Sequence, residues 1–335
     1  MQPAPSTTRG AARGRLAPSP TGALHLGNAR SFLLAWLSIR SQGGALVLRI
    51  EDLDHPKVKP WTADQAIEDL RWLGLDWDEG PGSVTGAEPD APYRQTERRA
   101  LYADALDRLL AQGLAYPCVC SRRDVEAAQS APQEGEDAMF YPGTCHGRFA
   151  TYEEAAAALP AGRLPCWRFR APDDETFFDD RMRGPQREHA ARTVGDFPLA
   201  RDARGAGYML AVVVDDAAMG VTEVVRGDDL LGATHRQILL QRALGLPTPA
   251  YAHVPLVVAE DGRRLAKRHG DTRLSALRAL GRTPSEIVGL LAHWCGWADL
   301  GAHVHPAELL PKFSFGTLNP SPAVLTDAIR RFLYR

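Results

Sequence analysis

The fold is decided by one stretch, which reads, over residues 14–30, GRLAPSPTGALHLGNAR. It predicts a short strand, a turn rich in Pro and Gly, and a helix from about residue 28 to residue 41, because large apolar residues recur there at helical spacing. Residues 45–50, ALVLRI, predict a second, buried strand. The turn therefore lies between the carboxyl end of a strand and the amino end of a helix, where proteins commonly bind phosphate.

The composition of the chain bounds its class. Its 335 residues, 44% of them hydrophobic, suffice for one large core or two to three modest domains. A formal net charge of −2 excludes a uniformly basic nucleic-acid-binding protein, so contact with RNA requires a local basic patch. Residues 1–14 lack the apolar segment of a signal peptide, and no run is long enough to cross a membrane. We therefore expect a disordered tail on a cytoplasmic protein, with 5 cysteines that form no disulfide framework.

Residues 17–27, APSPTGALHLG, resemble the first signature of class I aminoacyl-tRNA synthetases, and the flanking residues are those of the glutamyl/glutaminyl branch. Two later runs extend the match: YMLAVVVDD at 208–216 and GVTEVVRGDDLLGATHRQ at 220–237. Residues 263–270, RRLAKRHG, resemble the second signature of the family, with Arg264 and Ala266 in place of its Lys and Ser. The resemblance is continuous from about residue 15 to residue 270.

The resemblance implies an α/β protein with the class I synthetase Rossmann fold, whose parallel sheet is split by a zinc-containing insertion. The expected parts are a tail at 1–14, a first Rossmann half at 15–115, an inserted acceptor-type subdomain at 116–200 and a second half at 201–260. Residues 261–335 would hold the second signature and a small helical stem-contact remnant, with no anticodon-binding domain.

Three segments carry specific structural predictions. The apolar run 208–216 predicts a strand buried on both faces of a parallel sheet. Residues 221–229 predict another strand, which is followed by a helix over residues 231–244. The end of the chain predicts a helix from about residue 321 to residue 334, with Pro322 in its first position.

A group of acidic residues follows the second predicted strand, in the run RIEDLD at 49–54. These carboxylates can bind an ammonium group or ribose hydroxyls, and solvated turn residues would look the same in the sequence. Glu51 matches the glutamate with which the family contacts its amino-acid substrate. The resemblance assigns glutamate binding to Arg15, Leu16, Ala17, Pro18, Ser19, Glu51, Tyr208 and Arg226.

The resemblance also implies how ATP is used. Adenylation places negative charge on the phosphates, and preorganised donors stabilise that charge without a covalent enzyme intermediate. His25 and Lys267 are the expected catalytic residues, and His25, Gly27, Asn28 and Lys267 are the expected ATP-binding residues. We expect Mg²⁺ to arrive with ATP rather than in a protein cage of its own.

Three of the 5 cysteines lie close together, at Cys118, Cys120 and Cys145. Closely spaced thiolates favour structural zinc, which needs a fourth ligand. Spacing alone leaves Tyr141 and His146 as alternatives for that ligand, and cysteines packed as small apolar residues remain an alternative to a metal site. The family's pattern of C-x-C followed by Y-x-x-x-C implies zinc held by Cys118, Cys120, Tyr141 and Cys145. Cys166 and Cys295 are expected to lie apart from this group, in the core.

The resemblance is to the small branch of the family that uses ATP to activate L-glutamate and transfers it to queuosine in the anticodon loop of tRNA(Asp). Two other functions remain open: a minimal glutamyl-tRNA synthetase that charges a tRNA 3′ end, and a non-catalytic RNA-binding paralogue. We expect a monomer whose partners are ATP, L-glutamate and tRNA(Asp), with no membrane association.

Overall fold

The computed structural model describes residues 12–20, 22–53, 60–86, 88–128, 141, 143–202, 205–263 and 271–334. Lys267 and the rest of the second signature from residue 264 lie outside the described residues, as does most of the predicted tail. No helix in the described part of the chain is long and apolar enough to span a bilayer.

The strands of the described residues run in the order β1 (Arg13–Leu16), β2 (Ala45–Leu48), β3 (Ala115–Cys118), β4 (Cys166–Phe169), β5 (Glu175–Asp180), β6 (Gly184–His189), β7 (Phe197–Ala200), β8 (Glu223–Gly227), β9 (Ala250–Val254), β10 (Val257–Ala259) and β11 (Ala323–Leu325).

The α-helices are α1 (Leu26–Ser41), α2 (Pro60–Trp72), α3 (Arg99–Ala111), α4 (Arg122–Ala128), α5 (Tyr152–Ala157), α6 (Tyr208–Ala218), α7 (Leu231–Leu244), α8 (Leu274–Ala279), α9 (Pro284–Trp294) and α10 (Asp327–Leu333). Shorter helical turns of the 3₁₀ type occur at Gln95–Glu97, Asp228–Leu230, Pro306–Lys312 and Phe315–Thr317, and one π-type turn occurs at Ala190–Val194.

Parallel strands form the central layer. β1 pairs in parallel with β2, and β8 pairs in parallel with β9. Arg13 and Thr222 join the two pairs, because the amide of Thr222 donates to the carbonyl of Arg13 (2.8 Å) and the amide of Arg13 donates to Thr222 Oγ1 (2.9 Å). β5 adds to β9 through one parallel pair, Asp180 with Tyr251, and β6 runs antiparallel beside β5. The carboxyl ends of β1, β2, β8 and β9 therefore lie at one edge, where open α/β sheets bind ligands.

A separate antiparallel sheet of order β3-β4-β7 lies within residues 115–200 and so begins one residue before the predicted insertion at 116–200. The same segment also supplies β5 and β6 to the layer that contains β8 and β9. The predicted insertion thus contributes both a sheet of its own and part of the central layer.

α1 packs directly against β1, because Gly14 leaves room for it. A Cβ atom at Gly14 would lie 2.4 Å from Cγ1 of Ile39, a distance that real side chains do not tolerate. The close approach brings the last turn of α1 against the first half of β1. The largest apolar cluster of the described residues extends from this contact to α2 and α9.

The run 208–216 is a helix, α6, and the prediction of a strand there is wrong. Leu210, Ala211, Val212 and Val213 are all buried, so the helix is apolar on nearly every side. A short apolar run that is buried all round has no polar face to reveal its period, so sequence pattern cannot separate strand from helix. The predictions for the segments that follow are confirmed by β8 and by α7, which ends at Gly245 with φ of 65°.

Two helix starts also differ from the prediction. α1 begins at Leu26 rather than near residue 28, because the His25 side chain caps it. At the end of the chain, Pro322 does not start a helix: β11 follows it and pairs with β10, and α10 begins after the N-cap Thr326. Thr326 can accept a hydrogen bond from Ile329 through its side chain, which Pro322 cannot do.

Candidate active site

A cavity of about 590 Å³ opens at the carboxyl ends of β1 and β8 and at the amino end of α1. It brings together most of the site residues predicted from the sequence, although these lie far apart in the chain. Its lining consists of Arg15, Ala17, Ser19, His25, Gly27, Asn28, Ser31, Phe32, Glu51, Tyr208, Val225, Arg226, Gly227, Asp229, Leu230, Leu256 and Val257.

His25 caps α1 with its ring. Its Nδ1 accepts hydrogen bonds from the amides of Gly27 (3.1 Å) and Asn28 (3.3 Å), and Asn28 Oδ1 accepts from the His25 amide (3.3 Å). Since Nδ1 is an acceptor, the neutral ring carries its proton on Nε2. A Cβ atom at Gly27 would approach the ring to 2.9 Å, so glycine is required for this arrangement. The helix end thus presents an N–H donor to the cavity beside the positive end of the helix dipole.

Arg226 lies at the end of β8, with only 6% of the residue exposed. Nε donates to His253 Nε2 (3.0 Å), and Nη2 donates to Thr234 Oγ1 (2.8 Å) and Gln237 Oε1 (2.8 Å). Nη1 is buried without a hydrogen-bond partner among the described residues. The guanidinium is therefore fixed on one side and retains donor capacity on the other.

Arg15 lies at the end of β1 and is also 6% exposed. Nη1 donates to the carbonyl of Val225 at 3.4 Å, and Nε lies 3.6 Å from Asp216 Oδ1 without forming a hydrogen bond in the described structure. These contacts are long, so this guanidinium can also bind an added acceptor.

Glu51 follows β2 and is fixed by Arg49, which is fully buried. Arg49 Nη2 donates to Glu51 Oε1 at 3.0 Å, and Arg49 Nη1 lies 2.7 Å from Asp216 Oδ1. Burial raises the pKa of the Glu51 carboxyl, while the charges of Arg49 and Arg15 act in the opposite direction. The sequence left open whether Glu51 is a solvated turn residue or part of a pocket. In the structure it lines the cavity and is 9% exposed.

Two acidic residues of α6, Asp215 and Asp216, bind the polar side chains next to Glu51. Asp215 is fully buried, and it accepts hydrogen bonds from Arg98 Nε (2.6 Å), Gln95 Nε2 (2.9 Å) and the Tyr102 hydroxyl (2.8 Å). Asp216 on the next position contacts Arg49. α6 begins with Tyr208, which lines the cavity, so these buried contacts join α6 to α3, to the 3₁₀ turn at Gln95–Glu97 and to Arg49 after β2.

We call Arg15, Glu51 and Arg226 the charged end of the cavity. It offers two cations and one anion in a nearly buried setting. An α-amino acid with a second carboxylate carries the complementary set, two carboxylates and one ammonium group. Bidentate guanidinium contacts to carboxylates are among the strongest charge-assisted hydrogen bonds.

Some predicted residues do not line the cavity. Leu16 is fully buried in the core, and its carbonyl accepts from the Arg49 amide (2.9 Å); the carbonyl of Pro18 accepts from the Glu51 amide (3.0 Å). Sequence reasoning missed an apolar wall, because its residues look like ordinary core residues. That wall and its polar neighbours are Ser31, Phe32, Val225, Gly227, Asp229, Leu230, Leu256 and Val257.

A second group of side chains, which we call the cysteine cluster, consists of Cys118, Cys120, Tyr141 and Cys145. The ligand atoms of the three cysteines all lie within 4.8 Å of one another. The Tyr141 hydroxyl lies 3.4 Å from both Cys118 Sγ and Cys120 Sγ, and Cys120 Sγ lies 3.5 Å from Cys145 Sγ. Four ligands about 2.0–2.3 Å from one zinc ion have separations of this size in tetrahedral geometry.

Two neighbours of the cluster resolve questions left by the sequence. His146 is exposed and its ring stacks on Tyr116 with centroids 5.2 Å apart, so it lies outside the gathered thiols. Cys166 is not isolated, contrary to the prediction: it pairs with Cys118 across β3 and β4, and its hydrogen bond lowers the pKa of Cys118 to about 4. Cys295 is 2% exposed and lies in the core, as predicted.

Comparison with known proteins identifies the family to which the chain belongs. The model for the catalytic domain of class I tRNA synthetases (E and Q) matches residues 11–304, and the chain belongs to that family. It is 53% identical over 310 residues to the Glutamyl-Q tRNA(Asp) synthetase of Symbiobacterium thermophilum, covering 92% of this chain and 94% of that one. It is 45% identical to Glutamate--tRNA ligase 1 of Halorhodospira halophila, covering 92% of this chain and 64% of the relative.

The fold comparison agrees. The crystal structure of a glutamate tRNA ligase from Elizabethkingia meningosepticum, in complex with its amino acid, superposes with a TM-score of 0.77 at 28% identity. The match covers 96% of this chain and 68% of that chain. The predicted class I synthetase fold is confirmed by these matches.

Proposed function

We propose that this protein uses ATP to convert L-glutamate to glutamyl adenylate and transfers the glutamyl group to the cyclopentenediol of queuosine at the wobble position of tRNA(Asp). The observation that carries the proposal is the charged end of the cavity, where Arg15 and Arg226 face the same space as Glu51. The choice of acceptor rests on the relatives, because the chain is 53% identical to a Glutamyl-Q tRNA(Asp) synthetase and 45% identical to a glutamate–tRNA ligase.

Charge determines how glutamate binds. Arg226, with Nη1 unused, takes the side-chain carboxylate, and Arg15 stabilises the carboxylate that reacts. Glu51 and the hydroxyl of Tyr208 hold the ammonium end. Glutamine carries no charge on its side-chain amide, so it would leave a buried guanidinium without its anion, which is costly. We therefore expect strong selection of glutamate over glutamine.

ATP takes the opposite part of the cavity. The apolar wall that includes Phe32, Leu256 and Val257 suits a purine base, and the end of α1 suits the phosphates. An oxygen of the glutamate carboxylate attacks the α-phosphorus, the bond to the β-phosphate breaks, and pyrophosphate leaves with Mg²⁺. His25 donates to the phosphates through Nε2–H, and Lys267 neutralises the leaving pyrophosphate. A queuosine hydroxyl then attacks the acyl carbon, AMP leaves, and the hydroxyl proton is lost.

The cysteine cluster is the proposed site of one structural zinc ion. Cys118, Cys120, Tyr141 and Cys145 fit the ion because three sulfur atoms and one phenol oxygen already gather at ligand-to-ligand distances. The metal would hold β3 to the loop that carries Tyr141 and Cys145. Its contribution is to the shape of the insertion, since all four ligands come from the protein and no position remains for a substrate.

The test uses radiolabelled glutamate, ATP and four tRNA(Asp) preparations: with or without queuosine, each with or without the 3′-terminal adenosine. We expect labelling only of the two preparations that contain queuosine, and digestion should locate the label on the wobble nucleotide. Labelling that requires the terminal adenosine would establish a minimal glutamyl-tRNA synthetase instead. If glutamate does not stimulate exchange of pyrophosphate into ATP, the chain is a non-catalytic paralogue.

A further inference from the structure

The Arg226 guanidinium is hydrogen-bonded by one histidine, to which the sequence analysis assigns no role. His253 lies in β9, fully buried, and its Nε2 accepts the hydrogen bond from Arg226 Nε at 3.0 Å. Arg226 is always charged and has no acceptor atom, so Nε must be the donor. The histidine nitrogen that faces Arg226 must therefore be free of a proton.

The other ring nitrogen of His253 is fixed by Asp180 at the end of β5. Nδ1 lies 2.6 Å from Asp180 Oδ2, and both residues are fully buried at their side chains. With Nε2 unprotonated, the neutral ring carries its proton on Nδ1 and donates it to Asp180. Although burial acts the other way, this bond lowers the pKa of Asp180, so the carboxylate stays ionised and accepts.

Asp180 has no freedom to reverse this polarity. Its Oδ1 accepts three backbone hydrogen bonds, from the amides of Met182 (3.0 Å), Arg183 (2.9 Å) and His253 (3.2 Å). Oδ1 is thus committed to acceptance from the chain, and Oδ2 alone faces the histidine ring. In this series of hydrogen bonds, His253 Nδ1 therefore donates to Asp180, and Arg226 Nε donates to His253 Nε2.

We propose that Asp180 and His253 are positioning residues for glutamate: Asp180 sets the tautomer of His253, and His253 holds the Arg226 guanidinium with Nη1 toward the cavity. This inference rests on the proposed function, in which Arg226 binds the side-chain carboxylate. Neither residue lines the cavity, so both act through Arg226. Thr234 and Gln237 complete the support by accepting from Nη2.

The tautomer can be reversed by one substitution. In Asp180→Asn the amide oxygen stays at the Oδ1 position, where three backbone donors face it, so the NH₂ group faces His253 Nδ1. Nδ1 must then accept, and the proton moves to Nε2, where it opposes Arg226 Nε. Thr234 Oγ1, which lies 3.1 Å from Nε2, can take that proton in a hydrogen bond, but Arg226 Nε is left without an acceptor.

Substitution of the histidine separates its two contacts. Asn at position 253 reaches only the place of Nδ1 and keeps the bond to Asp180, whereas Gln reaches the place of Nε2 and can accept from Arg226. We expect Asp180→Asn and His253→Asn each to raise KM for glutamate at least about tenfold in ATP–pyrophosphate exchange, with KM for ATP within about twofold of the wild-type value. His253→Gln should stay within about threefold for both substrates.

The matched control is His235, a second buried histidine in the same part of the fold. It hydrogen-bonds Thr176 (2.7 Å) and packs on Phe178, but it is not among the partners of Arg226. His235→Gln should leave KM for glutamate within about twofold of wild type. KM does not depend on the fraction of enzyme that is folded, so a variant of low yield still reports on the site.

Two further measurements do not depend on turnover. Long-range ¹H–¹⁵N NMR correlation should show the proton of His253 on Nδ1 in the wild type and on Nε2 in Asp180→Asn. Burial lowers the pKa of His253 from its usual 6.5, so KM for glutamate in the wild type should rise only at a pH below 6.5, where a doubly protonated ring cannot accept from Arg226. The groups facing this ring are Asp180, Arg226, Thr234, Tyr251, Phe178, His235 and Asp228.

Failure of this inference is distinct from failure of the proposed function. If the wild-type protein shows no exchange with glutamate, the proposed function is wrong. If the wild type is active while Asp180→Asn and His253→Asn keep the wild-type KM for glutamate, or if the proton of wild-type His253 is found on Nε2, the positioning role is wrong.

Discussion

The charged end of the cavity and the cysteine cluster both gather ionisable side chains, but they do so in opposite ways. Around the charged end, most ions have a counter-ion within the fold, because Arg49 contacts Glu51 and Asp216, and Arg98 contacts Asp215. Arg226 is instead held by the neutral side chains of His253, Thr234 and Gln237. In the cysteine cluster, the sulfur and phenol atoms contact one another, with sulfur–oxygen distances of 3.4 Å.

The difference shows what each region requires. The side chains of the charged end are held in place by the fold, while Arg226 Nη1 and Arg15 Nε are buried without a hydrogen-bond partner in the described structure. The cluster consists of groups that all prefer the same partner, a soft cation. Folding alone positions the first region and leaves donors available for a substrate, whereas the second region is suited to completion by a metal.

The largest expected effect comes from removing the anion shared by three donors. Asp215→Ala leaves Arg98 Nε, Gln95 Nε2 and the Tyr102 hydroxyl without their buried acceptor, so we expect a loss of about 5 kcal/mol in the free energy of unfolding. Asp179→Ala, at an exposed position of β5, should change it by less than about 0.5 kcal/mol. Urea unfolding of both variants measures the difference, and equal losses would mean that the buried contacts of Asp215 do not stabilise the region beside the cavity.

Arg226→Ala removes the guanidinium itself. We expect kcat/KM for glutamate in pyrophosphate exchange to fall about 10³-fold, close to 4 kcal/mol, because a buried charge contact with the substrate is lost. Lys at this position should restore little, since it cannot reproduce the forked donors. Arg187→Ala, at a residue whose side chain is 68% exposed, serves as the control and should retain wild-type kcat/KM. A reduction of less than tenfold in Arg226→Ala would argue against its role.

Lowering the pH should reduce the free energy of unfolding through protonation of His235. Burial lowers the pKa of His235 from 6.5 to about 4, so the unfolded chain takes up a proton at a pH where the folded protein does not. This contribution to stability is complete above pH 6.5 and declines as the pH falls toward 4. Between pH 7 and pH 5 the wild type should lose about 2 kcal/mol more than His235→Gln. Unfolding curves at both pH values test this, and parallel losses in the two proteins would contradict it.

The smallest expected effect is that of a change in the cysteine cluster on the reaction at the charged end. Cys145→Ser should abolish binding of one zinc ion, measured by elemental analysis, yet change glutamate-dependent pyrophosphate exchange by less than about threefold, because the charged end needs no metal to be complete. Transfer to tRNA should fall much more. Cys295→Ala, in the core, should retain zinc. A parallel fall of exchange and zinc content would show that the two regions are not independent.

The sequence predicted the regions whose signal is local. The signature at 17–27 has its Pro, Gly and His close together in the sequence, and His25 of that signature caps the amino end of α1. The thiols of the cysteine cluster are also close in sequence. Features that depend on distant partners were harder to predict. α6 was mistaken for a strand because it is buried on nearly all sides, and its acids looked like the end of that strand.

The site was predictable where residues carry charge and was not where they are apolar. Arg15, Glu51 and Arg226 interrupt or end apolar runs, which marks them in the sequence. Phe32, Leu256 and Val257 line the same cavity but sit in runs of core residues, so nothing in the pattern separates them. His253 was overlooked because one histidine in an apolar strand does not reveal which nitrogen faces which partner.

The position of β5 restricts which segments can be exchanged between members of the family in a chimeric protein. Asp180, its last residue, lies within the predicted insertion at 116–200, yet it hydrogen-bonds His253, which in turn contacts Arg226. A chimera that replaces this whole stretch with one from another family member would have to reproduce the carboxylate at this point, and we expect its affinity for the amino acid to fall otherwise. Segments that appear interchangeable by their boundaries are therefore not interchangeable in this enzyme.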